Sequence, residues 1–193
     1  MDTWRRPAAA VMGLLLGRPR IPMNFTVTVS LALSAVLGLA LTAALWWVYF
    51  GIEDDERAER AMVAADPAAR PALALAAYFY AYIPMLLGVV ALASGVKEAI
   101  VRTGSTLPAG PCVAMGCGVA LFLAGGAAFR RALRIGPGRY RLAAAALALA
   151  ASAVGVALSV AAEMAVLTLI VAAALAVESR AAMRNGVPDS VEA

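Results

Sequence analysis

Residues 142–177 read LAAAALALAASAVGVALSVAAEMAVLTLIVAAALAV, an apolar stretch broken by one charge, Glu163. How it divides decides the fold. A helix rises 1.5 Å per residue, so about 20 apolar residues cross the ~30 Å hydrocarbon core of a bilayer. The stretch is too long for one ordinary span. Two shorter helices, Leu142–Leu158 and Ala161–Val177, account for its length, with a turn near Ser159 that no Pro-Gly or Asn-Gly pair marks. Working outward, Ala109–Phe129 is a glycine-rich apolar run, Ala72–Val96 is a run containing Pro84, and Asn24–Phe50 is the longest uninterrupted one. The expectation is an all-α, polytopic transmembrane helix bundle of about five spans, or four if the last stretch stays whole.

Composition leads to the same class. Of 193 residues, 63% are hydrophobic and 15% charged, and the mean hydropathy is +0.85. Soluble domains average about 45–50% apolar and about 25% charged. The lipid bilayer is therefore the expected partner. The net charge of +4 comes from arginines grouped beside apolar runs, a topology signal. No basic face interleaved with aromatics exists, so nucleic acid is not an expected partner.

Catalytic chemistry is poorly supplied. The chain has no histidine, which removes Ser-His and Cys-His nucleophilic pairs and most transition-metal sites. Cys112 and Cys117 have neither redox nor zinc spacing and read as two small buried residues. No enzyme, no metal and no cofactor is expected.

Three domains follow: residues 1–23 as a basic lead, interfacial or disordered; residues 24–178 as the bundle; and residues 179–193 as a polar tail. The lead has the short apolar core of a signal peptide, but Arg18, Pro19 and Arg20 stand where small residues would mark cleavage. The segment EDDERAERAMVAAD, from Glu53, reads as a solvated connector helix with Glu53–Arg57 and Glu56–Arg60 pairs at i,i+4, ended by Pro67 and Pro71. With five spans, the loops around residues 51–71 and 130–141 and the tail carry ten of the 16 Lys/Arg, which places that side and the C-terminus in the cytoplasm of a cell (plasma) membrane protein.

Trp46, Trp47, Tyr49 and Phe50 close the first span. Trp and Tyr concentrate at bilayer interfaces because each has an apolar body and a polar edge, so the cluster reads as an interface anchor. Three elements taken together say more: ALWWVYFG at 44–51, AYFYAYIPMLLGVVALASGVKEAI at 77–100, and FRRALRIG at 129–136. In this order they resemble the bacterial low temperature requirement A (LtrA) family of multi-pass membrane proteins, over about Leu37 to Glu178. The resemblance implies a link to growth in the cold, which is a phenotype rather than a reaction. Family members carry Tyr-x-His-x-Pro in the second element; here Tyr82 stands in the histidine position, in YAYIP. A phenol there exchanges hydrogen bonds but does not titrate near neutrality. The family is longer, with acidic and aromatic motifs in an N-terminal half that GRPRIPMNFT replaces here. The chain thus looks like the C-terminal half of a family member.

Two places carry candidate chemistry. Pro84 removes a backbone hydrogen bond and kinks the second span beside Tyr82, where freed carbonyls can line a polar cavity; interfacial tyrosines and a tolerated proline are the plainer alternative. Glu163 is the one ionisable residue well inside an apolar run, and such residues often mark pathways; capping the last helix is the plainer alternative. Tyr82, Pro84 and Glu163 form the candidate membrane pathway, for a solute or an ion. The competing functional class is structural: an assembly subunit completed by a second copy (a homo-oligomer) or by a separate N-terminal half.

Overall fold

The computed structural model describes residues 25–50, 52–101 and 109–185. The basic lead at 1–23 and the last part of the tail, 186–193, lie outside the described residues. Those described are helices joined by short turns, with no strand. In chain order they form α1 (Phe25–Tyr49), α2 (Ile52–Ala64), α3 (Arg70–Leu75), a π-helical turn (Ala76–Tyr80), α4 (Tyr82–Val101), α5 (Ala109–Leu133), α6 (Arg139–Ala157) and α7 (Val160–Asn185). Five candidate spans are long and apolar enough to cross a membrane: 31–49, 70–99, 109–133, 139–157 and 160–181.

The long apolar stretch does divide in two. α6 stops at Ala157 and α7 starts at Val160, with Ser159 Oγ accepting the Ala162 N–H at 3.2 Å as an N-cap. A serine hydroxyl can satisfy one of the orphan donors of a helix start, which is why a turn forms without glycine or proline. The last helix runs past Glu178 to Asn185, so the first residues of the segment read as a polar tail continue it.

In the second span the backbone accommodates Pro84 one turn upstream. Proline cannot donate to the carbonyl four residues back and crowds it. The helix widens over Ala76–Tyr80, and Ala81 N–H reaches back five residues to the Ala76 carbonyl at 3.2 Å. Such π-turns absorb one extra residue inside a helix.

α5 is the central helix, with 61% of its span buried. It packs on α4 along one side and α6 along the other, while α7 packs on α6 and α1 on α7. Lipid gives helices no hydrophobic reason to associate, so close backbone approach must do it. A Cβ added to Gly88 would lie 2.6 Å from the Gly118 carbonyl oxygen, and one on Gly118 would lie 2.6 Å from Leu92 N. At that point α4 and α5 touch backbone to backbone. The core threading the bundle includes Leu41, Met115, Val119, Leu123, Met164 and Leu167, each at most 1% exposed.

α2 lies across one end of the bundle, its Ala58 buried against Ala77 and Leu133. Its C-terminal carbonyls are closed by Arg70, which donates to Val63 O at 2.8 Å and Ala65 O at 3.0 Å. The exposed Arg60–Glu56 pair, 3.8 Å apart, forms as its i,i+4 spacing predicts. The structure describes no side chain for Glu53.

Candidate functional site

The alternation of spans puts the C-terminal ends of α1, α5 and α7 and the N-terminal ends of the second span and α6 at one end of the bundle. Four charged side chains meet there. Arg130 of α5 grips Asp54 of α2 with both prongs, Nε to Oδ2 and Nη2 to Oδ1, each at 2.8 Å. Arg141 of α6 donates to the same Oδ2 at 3.0 Å, to Glu178 Oε1 of α7 at 3.1 Å, and to the Val48 carbonyl at 3.3 Å. Arg130 Nη1 closes the ring on Glu178 Oε2 at 3.3 Å. The four side chains are 7–12% exposed and sum to zero charge. Buried charges are tolerated when paired and forked in this way. The quartet pins α2 to the ends of α5, α6 and α7 at the level of the Trp46–Trp47 belt.

Beside it, the Tyr49 and Tyr82 hydroxyls share a hydrogen bond of 2.5 Å. Tyr49, Tyr82, Asp54, Arg141 and Gly126 all line a void of about 30 Å³, room for one water. The phenol in the histidine position of the family element thus bonds the aromatic anchor of α1. Of that anchor, Trp46, Trp47 and Phe50 are about half exposed or more, as an interface belt requires, and Tyr49 faces inward.

Glu163 lies elsewhere. It stands in the first turn of α7, at the opposite end of the bundle, and is 0% exposed. Among the described residues neither of its carboxyl oxygens has a hydrogen-bond partner, nor does the buried Ser152 hydroxyl of α6. The carboxyl rests on Gly155 of α6: a Cβ there would overlap Glu163 Oε2 and lie 3.0 Å from the Cys112 sulfur of α5. Ser152 is one turn before Gly155 on the same face of α6, turned toward Gly116 of α5. The capping alternative does not hold, because Ser159 does the capping and the Glu163 carboxyl turns inward. Of the two cysteines, both free, Cys112 is buried as expected and Cys117 is partly exposed.

The three pathway residues are therefore not one locus. Tyr82 and Pro84 lie near Gly125, whose Cβ would meet Met85 and Ala81, whereas Glu163 lies near Cys112. Thirteen residues of α5 separate those levels, about 20 Å. Between α1 and α4 an apolar groove of about 1040 Å³ runs along the bundle, from Tyr82 and Trp46 to Lys97.

Sequence reasoning missed the quartet and the Ser152–Cys112 surroundings of Glu163. In sequence Arg130 and Arg141 read as topology signals that can also meet anionic headgroups, and Asp54 as part of a solvated connector. The one available signal was the presence of acids, Asp54 and Glu178, on the arginine-rich side. Among the described residues no group of three or more His, Cys, Asp or Glu is placed to hold a metal.

Comparison with curated proteins and with solved structures gave no match. Residues 17–176 match the bacterial low temperature requirement A protein (LtrA) family, a span that covers the aromatic anchor, the YAYIP element, both quartet arginines and Glu163. This multi-pass helical membrane protein belongs to the bacterial low temperature requirement A family.

Proposed function

We propose that the protein translocates an ion or small solute across the bacterial plasma membrane, without covalent catalysis, and that Glu163 belongs to the passage. One observation carries this reading: a fully buried carboxyl with both oxygens unpartnered. Ionisable side chains inside membrane helices are costly, and they persist where they face a partner, a cavity or a transported species. A merely structural acid would sit as Asp54 does, clamped by guanidinium groups. The quartet is the fixed end of the bundle in this account. Purified protein in liposomes, tested over a panel of ions and small solutes, is expected to show flux that Glu163→Gln removes. Absence of flux across the panel would overturn the reading.

A second reading, an assembly subunit, is favoured by the groove between α1 and α4. These helices scarcely touch and leave Leu39, Trp46, Leu86 and Val89 exposed along it. A helix of a second copy is the occupant proposed. Crosslinking in native membranes is expected to trap a homodimer through α1 or α4; a strictly monomeric chain would remove this reading.

A further inference from the structure

The passage reading leaves the transported species open, and the surroundings of Glu163 narrow it. We propose that the Glu163 carboxyl is a proton-binding site, formed in the seam of α5, α6 and α7 with Cys112 as its polar neighbour, and that the exchangeable species is the proton. The inference rests on Glu163 being functional, but its test does not depend on flux.

Three observations support the proton over other cations. Mg²⁺ and Ca²⁺ require about six or more oxygen ligands, and softer metals want several thiolates or imidazoles. The seam offers one carboxyl, one hydroxyl and one thiol. The carboxyl also lies directly against Gly155, in the place a Cβ would take, which leaves no space for a hydrated ion on that side. Among the described residues no cationic side chain pairs with Glu163, in contrast to Asp54 and Glu178. An isolated carboxylate in an apolar surrounding costs far more than a neutral acid, so the group is at home here as the acid.

The release form is also provided for. Glu163 stands in the first turn of α7, where the helix dipole favours an anion. Its own N–H is bonded to the Ser159 carbonyl at 3.0 Å, and Ser159 is exposed. Four residues of helix, about 6 Å, separate the carboxyl from that turn. One helical turn thus lies between the group and the exposed turn at Ser159. The ionisable neighbour packed against the carboxyl from α5 is Cys112; α6 contributes Gly155, which carries no charge.

The test is chemical. The full chain in phosphatidylethanolamine–phosphatidylglycerol vesicles is treated with dicyclohexylcarbodiimide, which is lipid-soluble, and in parallel with a water-soluble carbodiimide. The reagent reacts with a neutral carboxylic acid. The acid's proton moves to one carbodiimide nitrogen and the carboxyl oxygen bonds the central carbon, so the adduct retains every atom of both reactants. Peptide mapping is expected to place a dicyclohexyl adduct on Glu163, formed much faster than with the water-soluble reagent, and to find none in Glu163→Gln. An unmodified Glu163 peptide in folded wild-type protein would overturn the proposal, as would equal labelling by both reagents. The wild-type map decides even if the variant fails to fold. An adduct on Glu163 in vesicles that pass no ions would keep the proton site and remove the translocation reading.

Discussion

Arg130 holds Asp54 with Nε and Nη2, each 2.8 Å from a different carboxylate oxygen, although 76 residues separate the two in sequence. Arg141 shares the same carboxylate. The pairing turns a connector helix between spans into a fixed part of the bundle. Removing one partner of a buried pair leaves the others uncompensated, at about 3–5 kcal/mol. Asp54→Asn is expected to lower the thermal unfolding midpoint markedly in detergent. An unchanged midpoint would show that the quartet does not hold the end of the bundle together.

The Tyr49–Tyr82 hydroxyl pair makes a smaller and more specific prediction. A net hydrogen bond of this kind contributes about 0.5–1.5 kcal/mol. Tyr82→Phe and Tyr49→Phe should each cost about that much, and the double variant little more than either alone. Full additivity in a double-mutant cycle would mean that the hydroxyls act separately.

Close backbone contact between α4 and α5 depends on Gly88 and Gly118. A methyl at Gly88 meets backbone atoms, the Gly118 carbonyl oxygen at 2.6 Å and Phe122 N at 2.8 Å, and these cannot rotate away. Gly88→Ala is expected to cost about 1–3 kcal/mol or more through overpacking. Gly110→Ala is the control, since no described residue lies within 4 Å of its Cβ position. Equal thermal stability of the two variants would contradict the packing described.

The α6–α7 turn has its own test. Ser159→Ala removes the N-cap of α7 and should cost about 1 kcal/mol. The same change leaves the Glu163 carboxyl without a substitute role, because that side chain points into the seam. If Ser159→Ala is silent while Glu163→Gln lowers helix stability, Glu163 would be the cap after all.

What the sequence disclosed depended on the range of the interaction. The spans were legible because hydropathy over about 20 residues is a local property, and length favoured, without requiring, the break that falls at Ser159. The site for Pro84's strain was legible only approximately, since the backbone absorbed it over Ala76–Tyr80. The quartet was not legible: Asp54, Arg130, Arg141 and Glu178 are brought together only by the packing of four helices. Glu163 was legible as an anomaly, but its rotamer decides between capping and burial, and no local signal fixes that. Tyr82 was singled out from the family element, and its partner Tyr49 was already named as an anchor. That the two bond each other required the structure.

If Glu163 carries protons across the membrane, proton flux reports it. Vesicles holding the full chain and a pH-sensitive dye are given an acid-outside gradient and valinomycin to clamp the potential. Wild-type protein is expected to collapse the gradient, and Glu163→Gln, folded to the same thermal midpoint, to leave it at the rate of protein-free vesicles. Equal collapse by wild type and Glu163→Gln, or none by wild type, would contradict it.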